Sequence, residues 1–159
     1  MSLDDWLLAL HVLSGFAMAG TLVVYWVLIV AMRNIDNASD TIAYARVATL
    51  GNRVVIAGTV GTLVFGLWLA ISEPEYQPWD GWVVAAIVLW GASGFTGSRA
   101  GTEYTKPLVR AEELRAAGEE GAPGELRALN RTSTGLLMHT LSSLLIVALV
   151  AVMIWKPGA

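Results

Sequence analysis

The chain has no cysteine. That excludes disulfides, thiolate nucleophiles, iron–sulfur clusters and any metal site built on sulfur from cysteine. It is also short of charge. Only 14% of its 159 residues are Asp, Glu, Lys or Arg, against about 25% in an ordinary soluble domain. Histidine is scarcer still, with two residues, His11 and His139. No phosphate-binding glycine loop, catalytic triad or run of paired carboxylates stands out, so nucleotide hydrolysis, acyl transfer and a di-iron site have no support.

What the chain has in abundance is apolar sequence. Hydrophobic residues make up 55% of it and the mean hydropathy is +0.59. Four runs contain no Asp, Glu, Lys or Arg: Trp6–Met32, Val54–Ile71, Gly81–Ser98 and Thr132–Trp155. Each is close to the ~20 residues that cross a hydrocarbon layer of ~30 Å. Lipid offers backbone amides no partner, so each run is expected to be an α-helix. The first run follows Asp4 and Asp5 rather than a basic stretch, and it is long. It reads as a retained helix rather than a signal peptide.

The basic residues set the orientation. Arg33, Arg46 and Arg53 follow the first run, and Arg99, Lys106, Arg110, Arg115, Arg127 and Arg131 precede the last. Only Lys156 lies elsewhere. The positive-inside rule places the first nine in the cytoplasm and both termini outside. Trp6, Trp79, Trp82 and Trp155 then fall at the outer ends, as interfacial aromatics do. Basic stretches at 39–53 and 99–118 are expected to continue helices into the cytoplasm, with a cap at Asn37 or Ser39 and a kink at Pro107. The second of these helices is expected to end near Gly121 and Pro123, and "ELRALNR" to lead into the last span. The expected fold is all-α: a single integral membrane domain over 1–159, an antiparallel four-helix bundle in a bacterial plasma membrane, N-out and C-out. Its surroundings are lipid, with other membrane redox subunits or further copies of itself as possible partners. No nucleic-acid partner is expected.

Polar and small residues in membrane helices face other helices. On the first span His11, Ser14, Gly15, Met18, Thr21 and Tyr25 form one stripe at helical spacing. The second offers Gly51, Gly58, Thr62 and Gly66, and the third Ser93, Gly94, Gly97 and Gly101. The last offers Gly135, His139, Ser142, Ser143 and Met153. The glycines permit close helix contact or make room for a flat cofactor.

A histidine inside a membrane is a functional candidate, and imidazole is a common haem and metal ligand. The bland reading is that each ring donates to a carbonyl or hydroxyl on a neighbouring helix. His11 lies ~8 Å inside the outer face and His139 ~10 Å inside the inner face, which separates them by ~12 Å or more. Two separate sites are therefore expected rather than one iron between them. The candidate cofactor residues are His11, His139, Met18, Arg53 and Arg99, with the two histidines as metal ligands. The arginines are placed to pair with haem propionates or anionic headgroups. The expected cofactor is haem b. The alternatives are copper, near His11, Met18 and Met153, or no cofactor at all.

The stretches "LHVLSGFAMAGTLVVYWVLIVAMR", "GTLVFGLWLAI" and "VALVAVMIWKPG" resemble an uncharacterised family of four-span bacterial membrane proteins. That family looks like a relative of the copper-resistance protein D type and of the membrane-bound, haem-containing protoporphyrinogen oxidase type. The resemblance covers nearly the whole chain through short apolar motifs. It implies a haem near His11, the match for the span-one histidine of the oxidase group. The chain departs from that group in having no lysine inside a span, and from copper transporters in having no dense Met or His cluster. Nothing is carried over to His139. The functional expectation is a haem protein of membrane redox chemistry or an accessory subunit; the alternatives are a structural or permeation protein and copper handling.

Overall fold

The structure, a computed structural model, describes residues 2–72, 74–119 and 121–157. Five helices follow one another: α1 Leu3–Met32, α2 Ala38–Ser72, α3 Gly81–Ala117, α4 Glu125–Asn130 and α5 Ser133–Trp155. Four segments are long and apolar enough to cross a membrane: α1, α2, α3, and α4 with α5 taken together. No strand occurs among the described residues.

α1 begins on a capping box. The Ser2 hydroxyl accepts from the Asp5 N–H, and the Asp5 carboxylate accepts from the Ser2 N–H. It ends at Met32, where the charge-free run ends. Asn37 opens α2 by accepting from the Asp40 N–H at 2.8 Å. α2 and α3 have 35 and 37 residues, so they run about 52 and 55 Å, well beyond a ~30 Å apolar layer. Both overrun it at the basic end. α3 continues through Pro107, whose ring is buried, and stops earlier than the sequence suggests. Gly118, at φ +71°, is its left-handed cap. The segment before the last span is also not one helix. α4 closes at Asn130, and Thr132 caps α5 separately by accepting from the Gly135 N–H.

The helices pair into two halves. α1 packs along α2, and α3 along α5; α2 meets α3 more loosely, and α1 touches α5 at only a few points. Glycines set the α1–α2 distance. A Cβ on residue 58 would stand 2.8 Å from the backbone of both Ser14 and Met18, and one on residue 61 would collide with the Ser14 hydroxyl. Gly51 lies beside the Tyr25 ring, where a Cβ would make only ordinary contact. The other half is fitted the same way, with Gly135 against Glu103 and Tyr104 and Gly97 against Ser142. Gly15, Gly94 and Gly101 face open space instead.

Two cores result. The central one joins Met18, Ala86, Ile146 and Leu149, with Leu22, Val55, Trp90 and Met153 against it. A smaller one at the basic end joins Ile42, Ala111, Leu114 and Leu126. Phe16, Val27, Val88, Leu144 and Val147 point outward and are exposed, as residues facing lipid must be.

The small core is tied to the loop after α1. The N-cap of α4 is Gly124, which has no side chain to cap it. Asp36 supplies the missing carboxylate, accepting from the N–H groups of Gly124 at 2.7 Å and Arg127 at 3.1 Å. Asn130 donates to the Ile35 carbonyl, Arg131 to the Arg33 carbonyl, and Arg110 pairs with Glu125 at 2.6 Å. These bonds make a collar over the basic end of the bundle.

Candidate functional site

Two indoles join the halves. Trp26 of α1 donates Nε1–H to Ser143 of α5 at 3.0 Å, and Trp90 of α3 donates to the Thr59 carbonyl of α2 at 3.0 Å. Other hydrogen bonds lie within a half. Ser142 donates to the Ser93 carbonyl, and Thr62 back to Gly58 on its own helix.

His11 belongs to the α1–α2 interface. Its Nδ1 lies 3.0 Å from the Thr62 carbonyl oxygen. A carbonyl only accepts, so Nδ1 carries the proton and, in the neutral ring, Nε2 keeps its lone pair. The ring rests on Gly66, where a Cβ would stand 2.6 Å from His11 Cε1. One turn of glycine is thus the seat of one imidazole.

His139 is placed differently. It is only 5% exposed and its Nε2 is buried with no hydrogen-bond partner. Trp26 lies edge-on to it with ring centroids 4.9 Å apart, and Tyr25 at 6.2 Å. Tyr25 is held to α2 by its hydroxyl, which donates to the Ala48 carbonyl at 3.3 Å. Ser143, which accepts from Trp26, donates to the His139 carbonyl at 2.8 Å. Among the described residues three other buried side-chain atoms also lack partners, on Asp4, Trp82 and Asn130. Each lies near an end of a helix, and His139 Nε2 alone of the four is a nitrogen able to bind a metal.

The proposed site residues are not brought together. His139 contacts Trp26, fifteen residues along α1 from His11, which puts the imidazoles about 22 Å apart along that helix. That separation excludes one iron between them, which the sequence only disfavoured. Met18 and Met153 both belong to the central core, with Ala86 and Ile146. Met18 stands seven residues, about 10 Å, along α1 from His11. Arg53 and Arg99 are exposed, and Arg99 lies over the Phe95 ring at 5.4 Å. Ser142 bonds to Ser93 rather than to His139.

Trp26, Tyr25 and Ser143 as the walls of His139 were not anticipated as a set. The signal was present. Trp26 and Trp90 lie deep inside charge-free runs, away from the interfaces that explain Trp6, Trp79, Trp82 and Trp155. An indole N–H in lipid needs an acceptor, so both had to reach another helix.

The fit of each cofactor follows from these positions. Among the described residues no group of three or more His, Cys, Asp or Glu side chains could hold a metal ion. A b-type haem asks for less, a single imidazole nitrogen and flat apolar walls. Both histidines offer a nitrogen of this kind: His139 Nε2 is unpartnered, with Trp26 and Tyr25 edge-on to the ring, and His11, whose Nδ1–H is held by the Thr62 carbonyl, keeps its Nε2 lone pair but rests on Gly66.

Compared with known proteins, residues 5–157 match a family described as predicted integral membrane protein (DUF2269). The chain belongs to this family. No curated protein and no solved structure matches it. The family is thus that of an integral membrane protein with four apolar helices. The sequence resemblances to the copper-resistance protein D type and to the protoporphyrinogen oxidase type find no counterpart in these matches.

Proposed function

We propose that this integral membrane protein is a b-type haem protein serving membrane redox chemistry, alone or as a subunit of a larger complex, and that His139 is its iron ligand. The observation that carries this reading is the buried, unpartnered Nε2 of His139. A polar atom left unsatisfied in a membrane interior costs about 1–3 kcal/mol, and a bound group that takes up its lone pair removes that cost. Haem would supply one-electron chemistry there. Trp26 and Tyr25 would flank the ring, and the Trp26–Ser143–His139 hydrogen bonds would fix the backbone that carries the ligand. The collar would exclude water from the basic end. His11 in this reading is an anchor between α1 and α2.

The orientation goes with it. Nine of ten basic residues lie at the collar end, which by the positive-inside rule supports a cytoplasmic collar and, in this reading, a His139 in the inner leaflet of a bacterial plasma membrane.

A second reading has its own support. His11 donates to a neighbouring helix and fits a glycine seat, so at least one histidine already has a purely structural use. If His139 is used in the same way, the protein is a non-catalytic membrane subunit. Iron analysis with a haemochrome assay, on detergent-purified protein expressed with haem supply, separates the two. The haem reading expects iron and haem near one per chain. Colourless, iron-free protein would favour the second.

A further inference from the structure

His139 is closed on most sides by parts of the fold that are fastened to one another. Toward the basic end lies the collar, with Asn130 2% exposed and Gly135 pressed against Glu103 and Tyr104. Toward the other end lies the central core of Met18, Ile146 and Leu149. On the α3 side Ser142 is bonded to the Ser93 carbonyl. On the α2 side Tyr25 is bonded to the Ala48 carbonyl and its ring lies beside Gly51. One side remains. Between α1 and α5, which meet at only a few points, the partly buried indole of Trp26 lies edge-on to the imidazole and is held by one hydrogen bond to Ser143. Its neighbours Val27 and Leu144 face lipid.

We infer that the α1–α5 seam is a lateral portal to His139 and that Trp26 is its gate. Rotation of one side chain, with loss of one hydrogen bond, opens the imidazole to the bilayer without disturbing the glycine-packed halves. The ligand that fits this route is a flat, largely apolar, lipid-dissolved ring compound of the porphyrin class, arriving from the leaflet at the basic end rather than from water. The purpose of the portal rests on His139 as the ligand residue proposed above; its geometry does not depend on haem.

The test uses the full chain in liposomes without added haem. The probe is diethyl pyrocarbonate, which acylates imidazole and partitions into lipid. With two histidines in the chain, mass spectrometry of the two peptides gives both rates at once. In the wild type His11, half-buried, reacts faster than His139. Trp26→Ala raises the His139 rate five-fold or more, and Trp26→Phe, which keeps a ring but loses the N–H, raises it less. Trp90→Ala, which removes the other indole link between the halves, leaves it unchanged. The portal is overturned if Trp26→Ala does not accelerate His139, or if Trp90→Ala accelerates it equally. Should Trp26→Ala fail to fold by circular dichroism, Trp26→Phe decides on the same terms. Failure of the haem assay with an accelerated Trp26 variant would leave the portal standing and remove only the porphyrin.

Discussion

The imidazole of His11 occupies the space that a side chain at residue 66 would need, with its Nδ1 3.0 Å from the Thr62 carbonyl oxygen. Gly66→Ala must therefore push the ring away and break that bond. Interhelix hydrogen bonds in membranes average about 0.6 kcal/mol, and overpacking adds about 1–3 kcal/mol. The variant is expected to lower the unfolding midpoint in detergent. His11→Ala in the same background should relieve most of the overpacking. A double variant no more stable than Gly66→Ala would show that the ring is not seated there.

Gly58→Ala should be worse than Gly66→Ala. Its Cβ would meet backbone atoms of Ser14 and Met18 at 2.8 Å, and backbone cannot rotate aside. The cost expected is at the upper end of about 1–3 kcal/mol, and no single partner substitution should rescue it. Gly15→Ala and Gly94→Ala, facing open space, are expected to leave the midpoint within about 0.5 kcal/mol of wild type.

These glycines show how far the sequence could be read. The four charge-free runs marked the four apolar helices, because lipid leaves the backbone few other options. Of the stripe His11, Ser14, Gly15, Met18, Thr21 and Tyr25, His11, Ser14, Thr21 and Tyr25 meet α2 and Met18 enters the central core, while Gly15 faces open space. What spacing could not separate was which glycines carry a contact. Gly61 meets Ser14 and Gly15 meets nothing, and both occupy plausible helical positions. The environment of His139 was hidden for a different reason. It depends on α1 standing beside α5, a relationship between the ends of the chain that no local pattern encodes. The start of α4 was hidden because its capping carboxylate is Asp36, nearly ninety residues earlier.

That capping gives the collar a pH dependence. The Asp36 carboxyl is held below its usual range, first by the Arg127 backbone N–H; desolvation, the next effect in size, opposes it, and the Gly124 N–H and the Arg127 charge add to the lowering. Glu125 is held down chiefly by its bond to Arg110. A folded-state value below the unfolded one, about 3.9 for Asp, means the stabilisation is complete above that pH. It is lost as pH falls through the folded value. Amide exchange at Gly124 and Arg127, corrected for intrinsic rate, should be flat from pH 8 to 5 and rise only in stronger acid. Asp36→Ala should show the faster exchange already at neutral pH.

At the other end the Lys156 ammonium sits over the Tyr76 ring at 4.1 Å and near Trp82 at 5.5 Å, while donating to the Tyr76 hydroxyl at 2.6 Å. This contact fastens the end of α5 to the loop between α2 and α3. Lys156→Met keeps the length of the chain and removes the charge. It is expected to cost about 0.5–1 kcal/mol and to increase proteolysis in the loop near Tyr76, with the collar unaffected.

The central claim is that His139, not His11, carries the cofactor. Dithionite-reduced minus oxidised absorption spectra of three purified proteins test it directly: wild type, His139→Ala and His11→Ala. The account predicts a haem α-band in the wild type, its loss in His139→Ala, and its retention in His11→Ala despite a lower unfolding midpoint. A band that survives in His139→Ala, or that is missing from folded wild type, would contradict it.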